Sequence, residues 1–178
     1  NTNYDKSLNA YKKSGGLKSL KKVLKMNPEE VVKCVKDSGI RGRGGAGFPT
    51  GLKWSFMAKD TGKPSYLIAN ADESEPGTCK DRELMLKDPF LFLEGLIIGS
   101  YAVGCHHSYV YVRGEFFPAI KTLNDAVEDL YKDSLLGSNI MGSGYNLDIT
   151  IHSGAGAYIC GEESALLDSL EGKRGHPR

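Results

Sequence analysis

The chain has 178 residues, a formal net charge of +1 and charged residues at 25% of its composition. A chain of this length can bury one substantial core but is short for two full domains. The near-neutral charge gives no reason to expect a nucleic acid or an anionic membrane surface as partner. The longest apolar stretch, residues 90–103, is too short to cross a bilayer, so we expect no direct membrane insertion.

The cysteines are spread along the chain without the spacing that metal sites use. They are Cys34, Cys79, Cys105 and Cys160. No Cys-x-x-Cys pair is present and no histidine stands at ligand spacing, so we expect no complete zinc or iron–sulphur site in this segment. Free, buried thiols in a reducing compartment are the expectation.

The N-terminal forty residues predict short helices. Residues 1–16 are polar, and we expect them to be frayed. Apolar residues then recur at helical spacing between positions 17 and 35, with Pro28 suited to the first turn of the second helix. The lysines of the first helix are typical of a solvated face. We therefore assign residues 1–40 to a helical N-terminal segment.

Strand-like segments alternate with helical ones in the rest of the chain. The predicted strands are residues 66–71, 108–112 and 147–151, and the predicted helices are residues 90–104, residues 116–130 and a segment beginning near Gly161. This alternation indicates βαβ units and a largely parallel sheet. We predict an α/β fold with helices flanking the sheet in residues 41–178, preceded by the short helical segment.

A glycine-rich loop at residues 42–51 is the strongest functional signal. Its glycines let backbone N–H groups approach an anion, and Arg43 and Lys53 supply charge suited to phosphate. Phe48 and Phe56 present flat apolar faces for a ring system. The pattern favours a nucleotide or flavin cradle, and a linker or an Arg-Gly RNA-binding segment is the alternative.

The G-x-G-x-x-G spacing in this loop is weak support on its own. In a dinucleotide-binding fold that pattern follows a strand and opens a helix, whereas here it follows a predicted helix. The loop also lacks the Lys-Ser/Thr ending of a P-loop. Its context therefore differs from an ordinary Rossmann phosphate turn.

Two further loops follow predicted strands, at the sheet edge where ligands gather. Residues 70–77 pack three carboxylates into four positions, which suits ribose or ribityl hydroxyls, a nicotinamide carboxamide, a divalent metal or simply an exposed turn. Residues 152–163 are rich in small residues, which let a planar ligand lie against the backbone. Glu162 and Glu163 also suit the first turn of a helix without any function.

Residues 42–54, 70–82 and 154–163, together with residues 169–174, closely resemble one family. It is the NADH-binding flavoprotein subunit of respiratory complex I, whose kin are flavin subunits of NAD-linked hydrogenases and formate dehydrogenases. The resemblance runs from about Leu17 to the end of the chain, with three long motifs in order. It implies a Rossmann-like domain in which FMN is bound and NADH stacks on the isoalloxazine ring.

The resemblance also implies site residues, position by position. Those expected to form the FMN cradle are Gly42, Arg43, Gly44, Lys53, Asn70, Asp72, Ser74, Tyr158, Gly161 and Glu162. Those expected to contact NADH or NAD are Gly45, Phe48, Phe56, Glu75 and Glu163. Glu73 is expected near the flavin edge, where its charge would disfavour the anionic reduced flavin. Hydride transfer needs overlap and proximity, so no catalytic side chain in the strict sense is expected.

The implied function is oxidation of NADH by hydride transfer to FMN, with electrons passing through iron–sulphur clusters toward quinone. The implied partners are a thioredoxin-like [2Fe–2S] subunit and other peripheral-arm subunits. The complex would lie at the cytoplasmic face of an inner membrane or at the mitochondrial matrix side. The family's ubiquitin-like domain, its [4Fe–4S] cysteines and a further flavin-contacting segment are not in this chain, so an incomplete FMN site is expected.

Three alternatives remain at this point. The chain can be the diaphorase flavin subunit of an NAD-linked hydrogenase, a formate dehydrogenase or an electron-bifurcating complex. It can be a non-redox nucleotide-binding module. It can also be a polyanion-binding protein that uses its Arg-Gly loop.

Overall fold

The computed structural model describes residues 5–58 and 61–178. The helices in these ranges are α1 (Leu8–Lys13), α2 (Lys18–Val23), α3 (Pro28–Asp37), α4 (Thr50–Ser55), α5 (Lys80–Lys87), α6 (Pro89–Val103), α7 (Phe117–Lys132) and α8 (Glu163–Leu170). The strands are β1 (Tyr66–Ala71), β2 (His107–Val112) and β3 (Asp148–Ser153). Short 3-10 turns lie at Ile140–Gly142 and Tyr158–Gly161.

The strands form a parallel sheet in the order β1-β2-β3. Ala71, Val112 and Ser153 stand opposite one another at the strand ends. The strands therefore finish together at one edge, where β1 runs into the acidic loop (residues 70–77) and β3 into the small-residue loop (residues 152–163). The α/β class with a largely parallel, Rossmann-like sheet and flanking helices is confirmed.

Helices cover the two faces of the sheet unequally. The face that carries Val110 and Val112, both fully buried, packs in one core with α6 and α7. On the other face, the Tyr111 hydroxyl shares a hydrogen bond of 2.8 Å with the Ser169 hydroxyl on α8. That face opens toward the amino ends of the strands, where Tyr66 is 51% exposed. Cover from α8 is thus concentrated near the edge where the loops meet.

The central helix, α6, follows directly from its sequence. The Asp88 side chain accepts the Leu91 N–H at its start, Pro89 occupies the first turn, and Gly104 ends it with φ 72°. Its residues are apolar nearly all round, and Ile97 is fully buried. No helix in the described parts of the chain is long and apolar enough to span a membrane.

The first helix shows that the expectation of frayed residues at 1–16 is wrong for residues 8–13. The Ser7 side chain accepts the Ala10 N–H and caps α1, while Leu8 and Tyr11 are buried. Burial of these two side chains against the rest of the core holds the helix in place. A polar composition concealed this packing.

A buried carboxylate on α6 anchors the N-terminal helices. Glu94 accepts a hydrogen bond from the Tyr11 hydroxyl, and also the backbone N–H groups of Leu17 at 2.8 Å and Leu20 at 2.9 Å. The acceptor satisfies donors at the start of α2, which would otherwise be buried without partners. The charge of Glu94 thus serves to dock one element on another.

The cysteines divide into two groups. Cys105 and Cys160 are buried, as expected, whereas Cys34 and Cys79 are exposed, and all four are free thiols. The expectation of burial was wrong for the exposed pair because Cys34 lies on the solvent side of α3 and Cys79 lies in the turn that precedes α5.

Candidate functional site

Three loops from distant parts of the chain line one cleft at the carboxyl edge of the sheet. Its volume is about 750 Å³, within the range typical of small-molecule and cofactor sites. The lining residues are Arg43, Gly44, Gly45, Lys53, Asn70, Asp72, Glu73, Ser74, Glu75, Thr78, Lys80, Asp81, Tyr158, Ile159, Gly161 and Glu162. The sequence motifs therefore converge, as the resemblance implies.

The glycine loop is closed at its base by backbone hydrogen bonds. Gly42 N–H donates to the Phe48 carbonyl at 2.9 Å, and Thr50 N–H donates to the Ile40 carbonyl at 2.9 Å. Within the loop Gly45 has φ 116°, a conformation that side chains rarely permit. A Cβ built on Gly45 meets no atom within 4 Å, so this part of the loop presents bare backbone to open space.

The next helix, α4, carries Lys53 to the cleft and is fixed by close packing on α3. A Cβ on Gly51 would lie 2.3 Å from the Lys36 nitrogen, so only glycine permits this approach. Lys53 Nζ lies 3.9 Å from Glu163 Oε2, and both side chains are largely exposed. The helix thus places a cation between the glycine loop and the start of α8.

In the acidic loop, Asn70 joins the ends of two loops. Its Nδ2 donates to the Gly161 carbonyl at 2.9 Å, and its Oδ1 accepts the Asp72 N–H at 3.1 Å. The buried Asp72 carboxylate accepts the Ser74 hydroxyl at 3.2 Å. Burial raises the pKa of Asp72, against the opposing effects of the Ser74 hydrogen bond and of Arg113. This carboxylate is therefore a strained acceptor that a donor from a ligand would relieve.

The Glu73 carboxylate points toward α5. It accepts the N–H groups of Asp81 at 2.9 Å and Arg82 at 3.1 Å, and Lys80 Nζ lies 3.7 Å away. The side chain is only 1% exposed. The helix N-terminus and Lys80 therefore compensate its charge, which gives Glu73 a structural use whatever it does toward a flavin.

The small-residue loop approaches other backbone at two glycines. A Cβ on Gly154 would lie 2.8 Å from the Tyr111 hydroxyl, and one on Gly161 would lie 3.2 Å from the Asp72 carbonyl oxygen. These contacts bring the loop against β2 and against the acidic loop. Small residues here are a packing requirement as well as a possible platform for a planar ligand.

Glu162 and Tyr158 have partners inside the site. The Glu162 carboxylate accepts the N–H groups of Ser164 at 3.1 Å and Ala165 at 2.9 Å, capping α8, and these bonds with the Ser164 hydroxyl lower the pKa of Glu162. The Tyr158 hydroxyl donates to Glu75 Oε2 at 2.6 Å, and that bond raises the pKa of Tyr158. The cap that the sequence allowed as a non-functional explanation is thus present.

Four of the expected site residues border the cleft without lining it. They are Gly42, Phe48, Phe56 and Glu163. Phe48 and Phe56 have ring centroids 6.2 Å apart and are 46% and 66% exposed. Two exposed aromatic rings side by side leave apolar area for a second ring system next to the glycine loop.

Sequence reasoning missed four lining residues: Thr78, Lys80, Asp81 and Ile159. Three of these belong to the turn after the acidic loop and the start of α5, a helix whose amphipathic pattern is weak. The charges at positions 80 and 81 are the signal in the sequence that could have identified them.

A second cavity, of about 560 Å³, lies at the opposite end of the sheet. Trp54, Pro64, Val103 and His106 are among its lining residues. It is bounded by the amino ends of the strands, where parallel sheets rarely bind ligands. The cleft at the carboxyl edge is therefore the candidate site.

Comparison with known proteins agrees with this choice. Residues 35–178 match a family model described as "Nuo51 FMN-binding domain". The chain is 59% identical over 167 residues to an NADH-quinone oxidoreductase subunit of Mycobacterium tuberculosis, covering 92% of this chain and 38% of that protein. It is 56% identical over 172 residues to the NADH-quinone oxidoreductase subunit of the same name in Aquifex aeolicus, covering 97% of this chain and 40% of that protein.

A solved structure is also similar. A crystal structure of NAD⁺-reducing [NiFe]-hydrogenase in the H₂-reduced state superposes with a TM-score of 0.78 at 40% identity. The match covers 88% of this chain and 27% of that hydrogenase chain. The chain thus spans well under half the length of the proteins it resembles.

Proposed function

Because the chain belongs to the Nuo51 FMN-binding domain family, we propose that its cleft binds FMN and NADH and that the protein oxidises NADH by hydride transfer to the flavin. The observation that carries the proposal is the meeting of the glycine, acidic and small-residue loops in one cleft of cofactor size. The names of relatives in Mycobacterium tuberculosis and Aquifex aeolicus support the same activity.

The residues present fit the phosphate end of FMN. The bare backbone of Gly44 and Gly45 meets no atom where a side chain would stand, so its N–H groups can approach an anion. Arg43 and Lys53 line the same part of the cleft and add positive charge. We assign the phosphate to this end, with Gly42 closing the loop beneath it.

The opposite wall fits the polar parts of the cofactor. Asp72, Ser74 and Asn70 place acceptors and a hydroxyl along the acidic loop, which suits ribityl hydroxyls and the polar edge of the ring. The small residues up to Gly161 leave room for a flat ring against backbone. FMN, when bound, supplies the ability to accept a hydride and release electrons singly.

NADH is assigned to the outer part of the cleft. The exposed rings of Phe48 and Phe56 offer a stacking surface beside the glycine loop. Glu75 and Glu163 are anchors for polar groups, and their present contacts with Tyr158 and Lys53 hold both carboxylates at the cleft. The chain's contribution is to hold two rings in overlap, which hydride transfer requires.

We further propose that residues 1–40 form a helical segment that precedes the FMN- and NADH-binding domain at residues 41–178. Electrons then pass to iron–sulphur clusters outside this chain, toward quinone. The partners are a thioredoxin-like [2Fe–2S] subunit and other peripheral subunits of complex I. The complex places the protein at the cytoplasmic face of an inner membrane or at the mitochondrial matrix side.

A second candidate is the diaphorase flavin subunit of an NAD-linked hydrogenase. The observation that favours it is the structural match to an NAD⁺-reducing [NiFe]-hydrogenase. Both candidates use the same cleft and differ in the electron acceptor. They are separated by assaying the assembled complex for NADH-dependent quinone reduction and for H₂-dependent NAD⁺ reduction.

The flavin itself tests the central proposal. We expect the protein in its complex to be yellow, to release FMN on denaturation, and to lose its flavin absorption when NADH is added without oxygen. Arg43→Gln should raise the FMN dissociation constant about tenfold, the loss expected for one charge-assisted contact to phosphate. Lys121→Gln is the matched control, because Lys121 pairs with Asp125 on exposed α7. Absence of flavin, or a flavin that NADH leaves oxidised, contradicts the proposal.

A further inference from the structure

The turn after β2 touches both walls of the cleft from behind. In this turn Arg113 N–H donates to the Ala71 carbonyl at 3.2 Å, and Arg113 Nη1 donates to the Glu73 carbonyl oxygen at 3.2 Å. The second bond holds the main chain of the acidic loop between Asp72 and Ser74, two expected cofactor contacts. Sequence reasoning assigned no role to Arg113.

The guanidinium of Arg113 is itself held in place. Nε lies 3.1 Å from Glu115 Oε2, and Nη2 lies 3.4 Å from Glu115 Oε1, which is a forked arrangement. The Arg113 guanidinium carbon stands 5.6 Å from the centre of the Phe116 ring. The same hydrogen bonds lower the pKa of Glu115. The group therefore reaches the acidic loop from a fixed position.

The turn also abuts the small-residue loop. A Cβ on Gly114 would lie 2.2 Å from the Gly154 carbonyl oxygen, so the two backbones are in direct contact. A Cβ on Gly156 would lie 3.4 Å from Glu115 Oε1. Residues 113–116 thus form a junction that contacts the acidic loop on one side and the small-residue loop on the other.

We propose that Arg113 is a positioning residue that fixes the spacing between the acidic and small-residue walls of the cofactor cleft. It acts through the Glu73 carbonyl and Glu115 and does not line the cleft. The proposal rests on FMN binding in the cleft, as argued above. It requires the planar fork of arginine, since a lysine cannot bond the carbonyl and both carboxylate oxygens at once.

The test compares Arg113→Lys with Arg82→Lys in the flavin-loaded protein within its complex. Arg82 is the matched control because its guanidinium also stands over Phe116, at 6.0 Å, but is not in the cleft lining. We expect Arg113→Lys to raise the FMN dissociation constant about tenfold and the KM for NADH about fivefold, with kcat within about twofold and Tm little changed. Arg82→Lys should leave all four quantities near their original values.

A second variant covers the case in which Arg113→Lys folds poorly. Glu115→Gln keeps the shape of the fork but removes its charge, and we expect FMN affinity to fall about threefold. FMN and NADH parameters for Arg113→Lys that match the unsubstituted protein would overturn the inference, as would equal losses in Arg82→Lys. An unsubstituted protein without flavin would instead refute the proposed function, so the two failures are distinguishable.

Discussion

At the residue scale, Asp72 carries a charge that the fold disfavours. Burial raises the pKa of Asp72, so its stabilising contribution is complete below the ordinary aspartate range and is lost as pH rises through the raised value. Asp72→Asn should therefore raise the Tm of the ligand-free protein at pH 7, and this gain should vanish near pH 3, where both side chains are neutral. Thermal melts at the two pH values check this. An equal fall in Tm at both would contradict it.

The same substitution should weaken FMN binding about tenfold if the carboxylate accepts hydrogen bonds from the cofactor. Asparagine keeps the acceptor for the Ser74 hydroxyl, so the hydrogen bond inside the loop is retained. A residue that costs stability and serves binding is the usual trade at a functional site. FMN titration of the same variant provides the second half of the comparison.

Glu75 separates the two proposed ligands at the residue scale. Its carboxylate is exposed and held by the Tyr158 hydroxyl at the outer part of the cleft. Glu75→Gln should raise the KM for NADH about tenfold while FMN affinity changes less than twofold. Glu128→Gln on α7 is a matched control, since Glu128 is exposed and paired only with Lys132 in the same helix. Equal losses of NADH and FMN binding would show the assignment to be wrong.

At the element scale, the packing of α4 on α3 decides where Lys53 stands. Gly51→Ala places a Cβ against backbone atoms of Lys36, and we expect it to destabilise folding by ~3 kcal/mol and to weaken FMN binding. Gly95→Ala in α6 is the control, because a Cβ there meets no atom within 4 Å and alanine favours a helix by up to ~1 kcal/mol. Urea denaturation measures both. Similar unfolding midpoints for the two variants would exclude the packing explanation.

At the scale of the whole molecule, the sequence predicts the buried elements well. The predicted strand at residues 66–71 coincides with β1, and the predicted helix at residues 90–104 differs from α6 by one residue at each end. Both are continuous apolar segments bounded by turn signals, and these signals are local. The two loops at the carboxyl edge were placed by the same reasoning, because parallel strands finish together.

What the sequence does not reveal depends on contacts between distant residues. The hydrogen bond from Arg113 to the Glu73 carbonyl joins positions 40 apart, and Tyr11 reaches Glu94 across 83 positions. The start of α5 entered the cleft unexpectedly because Glu73 caps that helix from the acidic loop. Glu162 shows the reverse, since its capping contacts are local and its place in a first turn was readable.

The Glu94 anchor has a consequence for how the N-terminal segment can vary. Two of the three donors to its carboxylate are main-chain groups, at positions 17 and 20, and any amino acid except proline carries such a donor. Genetic drift can therefore rewrite much of the exposed surface of these first helices while their seat on the core is kept. The acid on α6, by contrast, has little freedom to change.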